Sequence, residues 1–248
     1  MPASPKRPAA KEKNEVSAQM FVYQAAKFVV EPLVKIVYRP RVEGLEHIPA
    51  DGAAILAANH LSFCDSFFIP IVVPRHVTFI AKAEYFDAGG LRGLWNKYFY
   101  ARFAGAVRVD RSGSRNATTA ALEGAVEVLE RGGLFGIYPE GTRSPDGKLY
   151  RGRTGIAEIA LRSGAPIIPI GIIGTDRVQP PGKKLPRWGR VTIRVGAPLD
   201  LAEAKGLGKP ALVRRAITDE VIEAIQKLSG QEYRHVYASD VKEGKAAA

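Results

Sequence analysis

A histidine and an aspartate five positions apart, His60 and Asp65, are of the residue types that carry out general base catalysis. They follow residues 53–59, a short and mostly apolar run that is typical of a buried strand. A carboxylate bonded to one imidazole nitrogen fixes the tautomer and leaves the other nitrogen free to accept a proton. The pair predicts a general base with its orienting acid and no protein nucleophile. The alternative is a turn histidine beside a helix-capping aspartate.

The helix that carries Asp65 is predicted to begin near Phe63. Ser62, followed by Asp65 three residues later, fits a capping box with Asp in place of the usual Glu or Gln. This arrangement places His60 in the turn before the helix and Asp65 in its first turn. From there the carboxylate can reach back to the imidazole.

A second polar cluster, residues 139–144, has the composition of an anion-binding turn. Gly141 permits a positive φ and close approach of the backbone, Thr142 offers a hydroxyl, and Arg143 offers a planar guanidinium for phosphate oxygens. The alternative is an ordinary surface turn that contains a pair between Glu140 and Arg143.

Two more cations follow predicted strands. Arg111 comes just after the strand at residues 106–110, where Asp110 can brace it, and Lys82 follows the strand at residues 77–81. Ligands of open α/β sheets bind beyond the carboxyl ends of strands, so these cations could meet a phosphate or a developing oxyanion. The alternative for each is a solvated surface side chain.

Strands and helices alternate from Arg41 onward, which predicts an α/β domain with a mixed, largely parallel sheet flanked by helices. The predicted strands span residues 53–59, 77–81, 106–110, 134–138, 167–173 and 191–195. The predicted helices follow Ser62 and span residues 91–103, 117–130, 156–162 and 210–228. Residues after Ser229 are predicted to form a loose tail.

The chain before this domain is predicted to contain an amphipathic two-helix element. Apolar residues recur at helical spacing between residues 16 and 38, and Pro32 divides them into two short helices. Such helices can lie on a bilayer or pack on the domain, and their broad apolar face favours the bilayer. We therefore divide the chain into a basic, disordered tail with docking helices at residues 1–39, a catalytic domain at 40–230 and a C-terminal tail at 231–248.

The formal charge of +11 over 248 residues indicates an anionic partner, such as an acidic membrane surface, a phosphorylated substrate or nucleic acid. Nucleic acid is disfavoured, because the basic residues are not gathered on a recognition helix with interleaved aromatic residues. One cysteine rules out an intrachain disulfide, and with four scattered histidines no metal site is expected. The sequence lacks a stretch of roughly 18 apolar residues and a secretory signal, so we expect a location in the cytosol or on the cytosolic face of a membrane.

Four blocks resemble those of the glycerolipid acyltransferases of the lysophosphatidic acid acyltransferase type. They are N-H-x-S-x-x-D at residues 59–65, G-x-x-x-x-D-R at 105–111, Y-P-E-G-T-R-S at 138–144 and I-P-I at 168–170. All four occur in the family's order within roughly residues 41–198. One departure is Arg108, where relatives often carry proline or an aromatic residue.

The resemblance implies a glycerol-3-phosphate acyltransferase-like fold and acyl transfer from a thioester, acyl-CoA or acyl carrier protein. The implied acceptor is the free sn-2 hydroxyl of 1-acylglycerol 3-phosphate, and the product is phosphatidic acid. Glycerol 3-phosphate, a glycolipid hydroxyl and water are the alternative acceptors. The reaction needs no cofactor beyond the thioester co-substrate, and the enzyme would be peripheral on the cytoplasmic face of a membrane.

The resemblance also implies a role for each residue of the blocks. His60 would be the base, and Asp65 would orient it. The residues expected to form the phosphate pocket are Arg111, Arg143, Glu140, Gly141 and Thr142. Lys82 or backbone N–H groups would stabilise the oxyanion.

Overall fold

The structure is a computed structural model that describes residues 28, 31–82, 107–109, 115–180, 182–183, 185–201 and 208–246. The strands are β1 (Arg41–Glu43), β2 (Ala54–Ala58), β3 (Val77–Lys82), β4 (Val107–Val109), β5 (Leu134–Ile137), β6 (Leu149–Tyr150), β7 (Ile167–Ile173), β8 (Thr192–Val195) and β9 (Tyr233–Arg234). The helices are α1 (31–38), α2 (Asp65–Val72), α3 (Arg115–Glu130), α4 (Gly155–Ser163), α5 (Thr175–Val178), α6 (Pro210–Ser229) and α7 (Ala238–Lys242). A short 3₁₀ helix spans Leu45–His47.

Seven of these strands form one mixed sheet in the order β1-β8-β7-β2-β5-β3-β4. Within it, β8 runs antiparallel to β7, whereas the other neighbouring strands pair in parallel. This confirms the predicted α/β class with a mixed, largely parallel sheet. A separate parallel pair joins β6 to β9.

The central strand β2 is buried along its whole length. Ile55 and Ala57 face one core, formed with α3, α4 and α6, while Leu56 and Ala58 face the opposite core with α2. A strand covered on both sides has no polar face, which explains the uninterrupted apolar run in the sequence. Its register with β5 and β7 is fixed at Ala57, which lies opposite Ile137 and Pro169.

Helix α2 begins at Asp65 with Cys64 as its N-cap, two residues later than predicted. Half of the predicted capping box is present, because Asp65 Oδ2 accepts the backbone N–H of Ser62 at 2.8 Å. The reciprocal bond is absent, because the Ser62 hydroxyl oxygen accepts the N–H of Cys64 at 3.3 Å and not that of Asp65, while the hydroxyl donates to the carbonyl oxygen of Gln179 at 2.8 Å. The hydroxyl therefore fastens this turn to the end of α5 instead of capping α2.

The prediction of a loose tail after Ser229 is wrong for the residues described there. The backbone N–H of Leu149 donates to the carbonyl of Glu232 at 2.9 Å, and that of Arg151 donates to the carbonyl of Val236 at 3.0 Å. Ala238 in α7 is fully buried. The segment is held by backbone hydrogen bonds to β6, and elements this short show no periodicity that a sequence pattern could reveal.

Helix α1 has apolar side chains on two faces. Val34 and Tyr38 pack on the core beside α2, where the Tyr38 and Phe68 rings meet edge to face with centroids 5.5 Å apart. Leu33 and Ile36 are exposed. The two alternatives for this region are therefore compatible, because one face packs on the domain and the other faces outward.

Two predicted regions lie outside the described residues: most of the N-terminal two-helix element and the helix at residues 91–103. Among the helices that the structure describes, none has the length and apolar content needed to traverse a bilayer.

Candidate active site

The site lies at the carboxyl edge of the sheet, where β2 and β5 end side by side. These strands are parallel, and Ala57 pairs with Ile137. His60 and Tyr138, which follow the two strands, therefore emerge next to each other. This is the edge at which open α/β sheets bind ligands.

The structure brings His60 and Asp65 together as predicted. His60 Nδ1 lies 2.9 Å from Asp65 Oδ2, which also accepts the backbone N–H groups of Leu61 at 2.7 Å and Ser62 at 2.8 Å. Because a carboxylate only accepts hydrogen bonds, Nδ1 carries the hydrogen and Nε2 carries the lone pair. Asp65 is fully buried, whereas the imidazole is 16% exposed. Nε2 has no hydrogen-bond partner among the described residues and can act as a base.

Aromatic stacking fixes the plane of the imidazole. Tyr138 stacks on His60 with ring centroids 3.9 Å apart and an interplanar angle of 9°, and Phe79 lies 5.6 Å beyond Tyr138. Burial raises the pKa of Tyr138 well above its ordinary value, so its hydroxyl, 3.1 Å from Ser66 Oγ, stays protonated. A Cβ at Gly136 would lie 2.4 Å from the Phe79 ring, so this glycine leaves room for the stack. The sequence feature that could have revealed this close packing is a glycine inside a buried strand.

Glu140 holds the backbone of His60 in place. Its Oε1 accepts the N–H of His60 at 2.9 Å, and its Oε2 accepts the N–H of Tyr150 at 2.9 Å. The N–H of Ser144 donates to the carbonyl of His60 at 2.7 Å. The turn at residues 139–144 therefore bonds to both sides of the His60 backbone. Glu140 was predicted to line the phosphate pocket, but its two oxygens are engaged by backbone donors, which makes it a positioning residue.

The carboxyl group of Glu140 is buried in the turn it stabilises. Burial raises its pKa to about 8, although the N–H donors of His60 and Tyr150 and the charge of Lys242 act in the opposite direction. Protonation of this group is therefore coupled to the placement of the base.

The remaining residues of the turn lie at the surface. Gly141 has the predicted positive φ, 75°, and a Cβ there would lie 3.0 Å from the side chain of Arg153. The Thr142 hydroxyl accepts a hydrogen bond from Lys242 Nζ at 2.9 Å. Arg143 is exposed and pairs with no carboxylate within the described part of the chain, so the alternative Glu140–Arg143 pair does not form.

Two predicted cations are placed only in part. Lys82 is the last residue of β3, beside Val109 at the end of β4, so its backbone lies at the carboxyl edge. Arg111 and Asp110 follow β4 but lie outside the described residues.

Asn59 ties three parts of the chain together instead of entering the chemistry. Its amide bonds to both backbone groups of Ile172 in β7, at 2.7 and 2.8 Å, and donates to Gln231 Oε1 at 2.7 Å. Gln231 Nε2 in turn donates to the carbonyl of Gly147 at 2.7 Å. Gln231 was missed by sequence reasoning, because a polar residue in a supposed tail carries no signal of a partner 172 positions away.

The sequence around this site matches a known protein family. A family model described as Acyltransferase matches residues 39–173, more than half of the chain, and the chain belongs to this acyltransferase family. The match confirms the resemblance that the four blocks indicate.

Within this family, the chain is similar to enzymes named 1-acyl-sn-glycerol-3-phosphate acyltransferases. The 1-acyl-sn-glycerol-3-phosphate acyltransferase of Bacillus subtilis is 28% identical over 193 residues, which cover 76% of this chain and 89% of the relative. A chloroplastic enzyme of the same name from Arabidopsis thaliana is 28% identical over 169 residues, covering 67% of this chain and 45% of the relative. The chain thus spans less than half the length of that relative.

A solved structure shows the same fold. The crystal structure of the 1-acyl-sn-glycerophosphate (LPA) acyltransferase PlsC from Thermotoga maritima superimposes with a TM-score of 0.62 and 28% sequence identity. The similarity covers 86% of this chain and 82% of that chain. The predicted sheet with its flanking helices is therefore that of a known acyltransferase.

Replacing Asp65 by Asn should abolish most turnover and lower the stability by a few kcal/mol, because the buried amide N–H groups find no acceptor among the described residues. The amide oxygen can take the place of Oδ2, and the amide nitrogen can take that of Oδ1, which has no partner among the described residues. The lost negative charge no longer stabilises the imidazolium, so kcat should fall about 100-fold or more. Steady-state kinetics with thermal unfolding measure both effects. Asp51→Asn, at an exposed carboxylate, is the control, and a kcat within a few-fold of wild type would contradict this role.

Glu140 should make the stability of the fold fall as the pH rises. Its folded-state pKa of about 8 lies above the ordinary 4.5, so the folded state binds the proton more tightly. This contribution is fully present below about pH 4.5 and is lost as the pH rises through about 8, amounting to a few kcal/mol. Urea unfolding at pH 5, 6.5 and 8 should show this loss in the wild type and in Glu123→Gln, but not in Glu140→Gln. Parallel pH profiles for all three proteins would exclude the coupling.

Proposed function

We propose that the protein transfers a fatty acyl group from acyl-CoA or acyl carrier protein to the sn-2 hydroxyl of 1-acylglycerol 3-phosphate, which gives phosphatidic acid. The observation that carries the proposal is the His60–Asp65 pair at the carboxyl edge of the sheet, in which Nε2 of His60 has no hydrogen-bond partner among the described residues. The relatives support this acceptor, since both the Bacillus and the chloroplastic enzymes are named 1-acyl-sn-glycerol-3-phosphate acyltransferases.

The chemistry needs one base and no covalent acyl-enzyme. His60 Nε2 takes the hydroxyl proton while the alcohol oxygen attacks the thioester carbonyl, an effect typically worth about 10²–10⁴ in rate. Asp65 stabilises the imidazolium that forms. When the tetrahedral intermediate collapses, the carbon–sulfur bond breaks, and Nε2–H returns its proton to the thiolate. The products are the ester and the free thiol.

Cations complete the proposed site. Arg143, together with Arg111, would bind the acceptor phosphate, since a guanidinium matches phosphate oxygens in two-point contact. Fixing the phosphate converts a bimolecular encounter into a positioned one. Lys82 or backbone N–H groups would stabilise the oxyanion.

The protein would meet its acceptor as a peripheral protein at the cytoplasmic face of a membrane. Two exposed apolar surfaces support this, the outer face of α1 and the docking loop, which we define as residues 185–190. In the docking loop Leu185 and Trp188 are 80% and 81% exposed. Arg187 and Arg190 lie in the same loop, and each cation adds about 1 kcal/mol near an anionic surface.

Strand order brings both surfaces to the edge that carries His60. Because β8 is antiparallel to β7, its first residue, Thr192, pairs with Ile173 at the carboxyl end of β7. The docking loop ends just before this point. Helix α1 leads into β1 beside it, where the N–H of Arg41 donates to the carbonyl of Val191 at 2.9 Å.

The activity is tested with purified protein and two acyl donors, acyl-CoA and acyl carrier protein. Each donor is supplied with 1-acylglycerol 3-phosphate, with glycerol 3-phosphate or without an acceptor. We expect rapid thioester consumption only when 1-acylglycerol 3-phosphate is the acceptor. His60→Ala should lower kcat at least about 100-fold. His47→Gln is the matched control, because His47 contacts the carbonyl of Val195 at the far end of β8. Consumption that ignores the acceptor would indicate a thioesterase, and preference for glycerol 3-phosphate would correct the acceptor.

Docking is tested by removing apolar surface from the docking loop. The double variant Leu185→Ser/Trp188→Ser should bind vesicles of phosphatidylcholine and phosphatidylglycerol about tenfold more weakly, because two exposed apolar side chains no longer enter the lipid. Leu212→Ser removes a half-exposed leucine from α6, which packs on the other side of the sheet from α1 and α2. This variant should bind the vesicles as the wild type does. Sedimentation with the vesicles measures both. Equal binding of the double variant and the wild type would rule out this surface.

A further inference from the structure

Helix α7 is held against the turn that positions the base. Arg153 donates from Nη2 to the Ser239 hydroxyl at 2.9 Å, and its guanidinium lies 5.1 Å from the centre of the Tyr237 ring. Lys242 Nζ, from the last residue of α7, donates to Thr142 Oγ1 at 2.9 Å and to the carbonyl of Arg143. The C-terminal helix thereby delivers an ammonium group to the anion-binding turn.

This ammonium lies near another cation and forms no ion pair in the described part of the chain. In the described part of the chain, neither Lys242 nor Arg143 pairs with a carboxylate, whereas Lys245 on the same segment pairs with Glu243. Partial burial, followed by the charge of Arg143, lowers the pKa of Lys242. Holding two like charges together is unfavourable, and a bound anion would relieve it.

The ammonium also has bonding capacity left over. A lysine ammonium has three N–H donors, and two of them are used by Thr142 and Arg143. The third is available to an oxygen atom from outside the protein, and a phosphate offers several.

The position of this cation suits the acceptor. The residue after Arg143 is Ser144, whose N–H donates to the carbonyl of His60. Arg143 therefore belongs to the turn that holds the backbone of His60, and Lys242 is hydrogen-bonded to that turn. The charge of Lys242 also reaches Glu140, the other residue that holds His60. In 1-acylglycerol 3-phosphate the phosphate is on the carbon next to the one that bears the hydroxyl. A hydroxyl at Nε2 therefore requires the phosphate to bind nearby.

We infer that Lys242 and Arg143 together bind the phosphate of the acceptor, so that the C-terminal helix contributes to acceptor recognition. This inference rests on the proposed function and adds a phosphate-binding residue, Lys242, to the proposed site. Lys242 lies well outside residues 39–173, the region that matches the acyltransferase family.

The test compares Lys242→Met, which keeps the stem and removes the charge, with Lys242→Arg, which keeps the charge. Lys242→Met should raise KM for 1-acylglycerol 3-phosphate about tenfold, because one charge-assisted hydrogen bond is lost. It should leave kcat and the KM of the acyl donor within about threefold of wild type, because the lost contact affects acceptor binding and not the chemical step. Lys242→Arg should restore most of the acceptor affinity. Lys245→Met, which removes one positive charge from the same segment, should behave as wild type.

An unchanged acceptor KM in Lys242→Met would overturn the inference. A fall in kcat with no change in acceptor KM, or failure of Lys242→Arg to restore affinity, would mean that Lys242 only anchors α7.

Binding of glycerol 3-phosphate separates this inference from the proposed function. Calorimetry in a His60→Ala background measures that binding without turnover, and adding Lys242→Met should weaken it about tenfold. If the wild type fails to acylate the lysolipid but this weakening occurs, the proposed function is wrong and the anion site stands. If the two proteins bind glycerol 3-phosphate equally, the anion site is wrong.

Discussion

The arrangement of the site depends on one buried carboxylate. Asp65 is fully removed from solvent, and a buried charge is tolerated only when hydrogen bonds replace the lost water. Three donors converge on a single oxygen: the imidazole of His60 and the backbone N–H groups of Leu61 and Ser62. All three residues lie in the turn between β2 and α2, so the same oxygen atom that orients the imidazole also fixes the backbone around it. Chemistry and local folding are therefore inseparable here.

The polar residues of the four sequence blocks divide between the proposed reaction and its support. His60 and Asp65 form the proposed reacting pair, whereas Asn59 and Glu140 satisfy backbone groups of β7, the β2 turn and β6. The support comes from long distances along the chain, and the C-terminal segment closes it through Gln231. An active site at the edge of a sheet is exposed to solvent on one side, and these ties hold its backbone from the protein side.

The sequence predicted those features that leave a local pattern. The buried runs around Ile55 and Ile168 predicted strands, and the spacing of His60 and Asp65 predicted a pair because both lie within one turn and the start of a helix. The role of Glu140 could not be predicted, since its partner N–H groups lie 80 residues before it and 10 residues after it. The order after Ser229 was missed for the same reason: it arises from backbone pairing with β6, which depends on no side-chain pattern.

The reversed strand β8 has a consequence for how lipid reaches the base. Had β8 run parallel to β7, the docking loop and α1 would meet the sheet at its amino edge, at the opposite end of the strands from His60. A lysolipid would then have to desorb and cross the domain before reacting. With the reversal, the acceptor can slide into the site while its chain stays among the other lipids. If the protein docks on a membrane as we propose, turnover follows the two-dimensional density of acceptor within the leaflet, and diluting the lysolipid with inert lipid slows the reaction even when the bulk amount is constant.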